Sequence, residues 1–264
     1  MIEFRNVTKS FNDEVVLKDI SFKISKGETK VFLGASGSGK STVLKLILGL
    51  IKPDSGHILI DDQDITQMSE RELVQVRRAI GMVFQEGALF DSLSVRENVG
   101  YRLYEEGRVS EEEIGVAVLR LLGFVGLEDA IDKMPAELSG GMKRRVGIAR
   151  ALLGTPKVVL YDEPTAGLDP ITKRTIVELM IKLRDLEGVT TVFVTHDLPA
   201  AAIIASEYAA PDEDGDIRFY RGDESLCLAN VHFIMLHEGS ICFEGSYEQL
   251  TASNQPYVRI FTSW

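Results

Sequence analysis

The residues with the clearest chemistry are Gly34-Ala35-Ser36-Gly37-Ser38-Gly39-Lys40-Ser41. They fit G-x-x-x-x-G-K-[ST], the phosphate-binding loop pattern. Glycines let the backbone turn tightly and aim successive N–H groups inward, which makes a cradle for anionic oxygens. Lys40 can reach the β- and γ-phosphates of a nucleotide, and the Ser41 hydroxyl can ligate Mg²⁺. Such a loop needs a strand before it and a helix after it. Lys30–Leu33 is a short apolar strand pattern, and Thr42–Leu48 reads as a helix. The N-terminal end of that helix adds positive partial charge where phosphate would lie.

Three more chemical groups stand just past buried-type strands. Gln85 follows Ile80–Phe84, Asp162 and Glu163 end Val158–Glu163, and His196 follows Thr190–Thr195. In open α/β sheets, ligands bind beyond the carboxyl ends of the strands. Gln85 is therefore placed to touch a nucleotide or its metal. Asp162 is the residue type that holds Mg²⁺, through water, and Glu163 can polarise a water for attack on a γ-phosphate. His196 can donate a hydrogen bond to that phosphate. Phe11 lies on a turn upstream of the Gly-rich loop, where its ring can stack on a base or simply plug a hairpin end.

A second anion-ready segment is Ser139-Gly140-Gly141 at the start of a helix. It is either a plain Ser-capped helix or a site for phosphates held by another copy of the chain.

The elements that must position these groups can be read in order. Residues 2–8 and 15–24 alternate as strands, turned at Ser10–Glu14. Ser69 caps a helix with acidic residues in its first turn, ending near Arg78. From Gly87 to Gly126 the pattern is helical, with Ser94 and Ser110 as caps. The spacing predicts a helical subdomain over about 87–155 within one domain spanning 1–264. Gly167-Leu168-Asp169 turns the chain into a helix over 171–187. Residues 206–231 break the pattern. They read as a solvated loop or small hairpin, or else as a partner-binding or regulatory insert. Val231–His237 and Ser240–Glu244 form a hairpin, and short helices close the chain.

Composition bounds the partners. The net charge is −11, against the basic excess of a general nucleic-acid binder. Cys227 and Cys242 show no disulfide or Cys-x-x-Cys framework, which suits a reducing compartment. The first residues have no signal-peptide shape, and no apolar run approaches the ~20 residues of a membrane span.

Taken together, these motifs make the chain resemble the nucleotide-binding subunit of an ATP-binding cassette (ABC) transporter. The family's order is present: an aromatic loop at Phe11, Walker A at Gly34–Thr42, a glutamine loop at Gln85 and a signature at Leu138-Ser139-Gly140-Gly141-Met142. Walker B follows at Val158–Asp162 with Glu163, then the D-loop at Gly167–Asp169 and a switch histidine at His196. The resemblance implies an α/β P-loop fold with a RecA-like mixed sheet, an antiparallel β subdomain and a helical subdomain. It implies ATP and Mg²⁺ as cofactors, with Ser41, Gln85 and Asp162 at the metal and Glu163, His196 and Lys40 as catalytic residues. It also implies a head-to-tail pair in which Ser139 and Gly141 serve the other copy's nucleotide, with Gly140 and Asp169 among the nucleotide-binding residues.

Two departures narrow the family. Met142 stands where most cassettes have Gln, as in the Mla-type lipid-transport group, which Gly87–Val99 and Pro256-Tyr257-Val258-Arg259 also resemble. That subgroup implies phospholipid transport with an integral-membrane permease and an MCE-type lipid-binding protein, and no nucleic acid. Its location would be the cytoplasmic face of the inner membrane. The other departure is the segment 206–231. The rival readings are a cassette for a different solute and a soluble ABC ATPase. A GTP switch lacks its Asn-Lys-x-Asp motif.

Overall fold

The computed structural model describes residues 1–222 and 230–262. The chain opens with the strands β1 (Ile2–Phe11) and β2 (Glu14–Ile24), then β3 (Thr29–Leu33) and the helix α1 (Lys40–Ile47). Next come β4 (Ser55–Ile60), β5 (Gln63–Asp64), α2 (Glu70–Arg77) and β6 (Ile80–Val83). A helical stretch follows: α3 (Val95–Glu106), α4 (Glu111–Val125) and α5 (Gly140–Leu152). The core resumes with β7 (Val158–Asp162), α6 (Pro170–Glu187), β8 (Thr190–Thr195) and α7 (Leu198–Ser206). The chain ends with β9 (Glu207–Pro211), β10 (Ile217–Arg221), β11 (Val231–His237), β12 (Ser240–Gly245), α8 (Tyr247–Thr251) and α9 (Pro256–Thr262).

One sheet has the order β12-β11-β3-β8-β7-β6, parallel except for its β12 edge. The other, β2-β1-β4-β5, is antiparallel. Parallel strands covered on both faces must be apolar throughout. Accordingly, every residue of β3 and β8 is buried. Successive side chains point to opposite faces. Val31, Leu33, Tyr161 and Phe193 join the core formed with α3 to α7. Phe32, Leu160, Val192 and Val194 join the core shared with α1 and the antiparallel sheet. Truncating Phe32 to Ala would cost about 3–5 kcal/mol, because neither layer can close over the void. This is the mixed-sheet cassette fold that the sequence motifs imply.

The helices α3 and α4 start as expected. Ser94 and Ser110 cap them, in capping boxes with Glu97 and Glu113. Asn98, fully buried, accepts from Phe90 N and donates to the carbonyls of Phe90, Leu93 and Ser94. That side chain fixes the turn before α3. Among the described residues of 87–155 there is no strand.

Within 206–231, Ser206 ends α7, and β9 pairs with β10 in a two-stranded antiparallel hairpin. It stands on α6: Arg174 grips Glu207 at 2.6 and 2.9 Å, and Phe219 lies between Arg174 and Lys182. Residues 223–229 of that segment, with Cys227, lie outside the described residues. No helix among the described residues is long and apolar enough to cross a membrane.

Candidate nucleotide site

The Gly-rich loop links β3 to α1 with a sharp reversal. Gly39 is the N-cap of α1 at φ +100°, and a Cβ there would come within 2.7 Å of Leu17 Cδ2. A glycine cap supplies no side-chain oxygen, which leaves the first-turn amides of α1 for an outside anion. Lys40 is folded back over the loop. Its Nζ donates to Gly34 O at 2.8 Å and Ala35 O at 3.0 Å, and it lies 3.8 Å from Glu163 Oε1. Burial pulls the Lys40 ammonium below its ordinary value, and the charges of Glu163 and Asp162 only partly offset this.

Behind Lys40, the side chains of Ser41 and Asp162 meet. Ser41 Oγ donates to Asp162 Oδ1 at 2.9 Å, across 121 positions of sequence. Burial raises the Asp162 carboxyl; the Ser41 hydrogen bond works against that, and the Glu163 charge adds to it. Glu163 sits at φ +48°, an unusual conformation for a side-chain-bearing residue, with its N–H on Val194 O at 2.9 Å. This turn swings its carboxylate toward β8. There, Oε2 accepts from Thr195 Oγ1 at 3.2 Å and His196 N at 3.3 Å, and His196 Nδ1 is 2.9 Å away.

One cleft of about 760 Å³ gathers most of the expected residues. Ala35, Ser36, Gly37, Gly39, Lys40, Ser41 and Thr42 line it, with Gln85, Asp162, Glu163, His196 and Phe11. Phe11 is the last residue of β1, not a turn residue, and is 42% exposed at the cleft wall with Lys9 Nζ 5.4 Å above its ring. Gly34 and Ser38 are buried beneath the loop.

The other expected residues lie apart from this cleft. Ser139 caps α5, its Oγ accepting from Met142 N at 3.3 Å, and Ser139 and Gly140 are exposed. Gly141 is buried against Thr172. Asp169 caps α6, and hydrogen bonding from the Thr172 side chain, with the Thr172 and Ile171 amides, holds its carboxyl below the usual range. None of Ser139, Gly140, Gly141 and Asp169 lines the Lys40 cleft. The two anion-ready segments of one chain do not meet.

Sequence reasoning missed several neighbours of the site. Thr195 reads as an ordinary buried strand residue, yet it holds Glu163 and accepts from Asp197 N at 2.9 Å. Glu14 and Val16 line the cleft from β2. Tyr257 of α9, stacked on His237, accepts from Ala35 N at 3.4 Å.

Comparison with known proteins agrees with this geometry. Residues 17–166 match the ABC transporter family. The chain is 36% identical over 261 residues to the intermembrane phospholipid transport system ATP-binding protein MlaF of Escherichia coli (strain K12), covering 99% of this chain and 88% of MlaF. It is 36% identical over 260 residues to the probable ribonucleotide transport ATP-binding protein mkl of Mycobacterium leprae (strain TN), covering 98% of this chain and 68% of mkl. Among solved structures, the dimeric post-hydrolysis state of the ATP-binding cassette MJ0796 bound to ADP and Pi superposes with a TM-score of 0.76. It is 34% identical, with 93% of this chain and 98% of that chain covered. The chain therefore belongs to the ABC transporter family, as one of its ATP-binding, ATP-hydrolysing cassettes.

Proposed function

We propose that two copies of this chain close head to tail on ATP and drive phospholipid transport through a membrane permease. The observation that carries the chemistry is the convergence of Lys40, the Ser41–Asp162 pair and the Glu163–His196 pair on one cleft. The base stacks on Phe11. The loop amides and Lys40 take the β- and γ-phosphates, Lys40 exchanging the Gly34 and Ala35 carbonyls for them. Ser41, Asp162 and Gln85 offer the hard oxygens that Mg²⁺ prefers, and the raised Asp162 carboxyl suits a residue awaiting a cation. Mg²⁺ held by these residues would supply charge neutralisation at the phosphate oxygens.

Glu163 acts as the general base. Its Oε2 is engaged by Thr195 and His196, which leaves Oε1 to take the proton as a water oxygen attacks the γ-phosphorus. The bond from phosphorus to the β-phosphate oxygen breaks, giving ADP and phosphate. A second copy supplies Ser139, Gly140, Gly141 and Asp169 from the opposite side. That arrangement explains why one chain carries two anion-ready segments that do not meet, and the dimeric MJ0796 cassette supports it.

The helical stretch 87–155 passes closure to the permease. Phospholipid is the cargo favoured by the resemblance to MlaF, by Met142 and by the 87–99 stretch, with an MCE-type protein as the lipid-binding partner. The name of mkl gives that relative a different cargo. The hairpin β9–β10 is a regulatory or partner contact outside the catalytic cleft. Purification from native membranes tests this reading. A permease and a lipid-binding protein should co-purify, with phospholipid. A polar-solute transporter in their place would overturn the cargo, and bound nucleic acid would overturn the transport role.

A further inference from the structure

Arg144 is a charged side chain that the fold hides. It lies on α5, three residues after Gly141, and is 7% exposed. Burial pulls its basicity below the ordinary guanidinium value, with the Glu86 charge opposing. Nε donates to Gln85 O and Nη2 to Ala166 O, while Nη1 is buried with no hydrogen-bond partner among the described residues. A core built only for stability gains little from such a group, since an apolar side chain of similar volume fills the space without desolvating a charge.

The owners of the two carbonyls explain the arrangement. Gln85 belongs to the loop after β6 and lines the nucleotide cleft. Ala166 leads into the Gly167–Asp169 turn ahead of α6. The helix carrying Arg144 begins at Ser139-Gly140-Gly141. One planar group therefore joins three segments. The same helix holds the loop again further on, where Arg150 donates to Gly87 O and Ala88 O, each at 2.8 Å. Gly87 is pressed so close that a Cβ would come within 2.6 Å of Lys143 O. The loop cannot leave α5 without breaking these bonds, so a shift of one moves the other.

We propose that Arg144 is a positioning residue that couples the two nucleotide sites of the dimer. It ties the Gln85 loop, which faces the chain's own nucleotide, to Ser139–Gly141 and Gly167–Asp169, which face the nucleotide of a second copy. The proposal rests on the head-to-tail reading given above. Arginine suits the task because its planar fork donates in two fixed directions at once, whereas a lysine ammonium is a single point on a flexible stem.

The test compares wild type, Arg144→Lys and Arg144→Met in three measurements: the ATP dependence of hydrolysis, ATP affinity and the thermal midpoint. Wild type should show a Hill coefficient rising toward two, the number of sites. Both variants should fall toward one, with ATP affinity at a single site within roughly twofold, since coupling and intrinsic affinity are separate quantities. A purely structural role would lower the thermal midpoint and leave the Hill coefficient of the folded protein unchanged. If Arg144→Met does not fold, Arg144→Lys, which keeps the charge and most of the volume, decides the matter. Wild type and folded variants sharing a Hill coefficient near two would overturn the coupling alone. A wild-type coefficient of one would overturn the coupling and leave the head-to-tail reading standing, since independent shared sites also give one; mixing Lys40→Ala with Ser139→Arg tests that reading separately.

Discussion

His196 Nδ1 lies 2.9 Å from Glu163 Oε2, and the amide of the same histidine donates to that oxygen at 3.3 Å. The Nδ1 contact is an ion-pair distance, and the hydrogen bond from His196 to the carboxylate comes from its backbone amide, so the ring can turn while the carboxylate stays held. On the function proposed above, that freedom lets the ring face a γ-phosphate with Glu163 in place.

Glu163→Gln keeps the shape of the side chain and removes its basicity. ATP should still bind, and hydrolysis should fall at least ~100-fold, the usual size of a general-base effect. Single-turnover kinetics with bound ATP measures this directly. Near-normal turnover would remove Glu163 from its role.

Asp162 gives a pH signature whose sign follows from burial. Its native carboxyl titrates above the ordinary aspartate value of 3.8. Between those two values the native state holds more proton than the unfolded state. The contribution to stability is present below the lower value and lost as pH rises through the upper one. The ligand-free wild type should therefore lose stability relative to Asp162→Asn as pH rises through that window. Mg²⁺, which needs the carboxylate, should bind more weakly as pH falls through it. Thermal midpoints of both proteins across a pH series check the first statement, and a difference that stays flat contradicts it.

Tyr161 precedes this residue and points the other way. Its side chain is fully buried, and its hydroxyl has no partner among the described residues. Burial pushes the phenol well above its ordinary value, so it stays neutral. An unsatisfied buried hydroxyl costs about 1–3 kcal/mol. Tyr161→Phe should raise the thermal midpoint, by roughly 2–4 °C for each kcal/mol in a chain of this size, with ATPase activity retained. Calorimetry decides; a lower midpoint would mean that the hydroxyl is satisfied in solution.

Much of this site was legible in the sequence because its groups stand at strand ends. Gln85, Asp162, Glu163 and His196 each follow a buried run, and a parallel sheet brings such ends to one edge. That is why Ser41 and Asp162 could be paired across so much chain. Arg144 and Thr195 were not legible. Arg144 acts through backbone carbonyls that any residue provides, and Thr195 looks like strand filler until Glu163 turns toward it. Tyr257 reaches Ala35 from 222 positions away, with no local pattern to announce it. The small hairpin read as one option for 206–231 is present as β9–β10, but its first strand had no signal of its own: Glu207-Tyr208-Ala209-Ala210-Pro211 is a poor strand sequence that forms by pairing with β10 and docking on α6.

The central claim is that each ATP lies between Lys40 of one copy and Ser139 of another, and mixing two inactive variants tests it most directly. Lys40→Ala and Ser139→Arg should each be nearly inactive alone. Mixed in equal amounts with ATP, they should form heterodimers with one site built from an intact Lys40 and an intact Ser139. Hydrolysis should then rise above that of either variant, to at most about a quarter of wild type for random assortment, because only one site of each heterodimer is intact and coupling between sites lowers its output further. Full activity of either variant by itself, or a mixture no more active than its parts, would contradict the shared site.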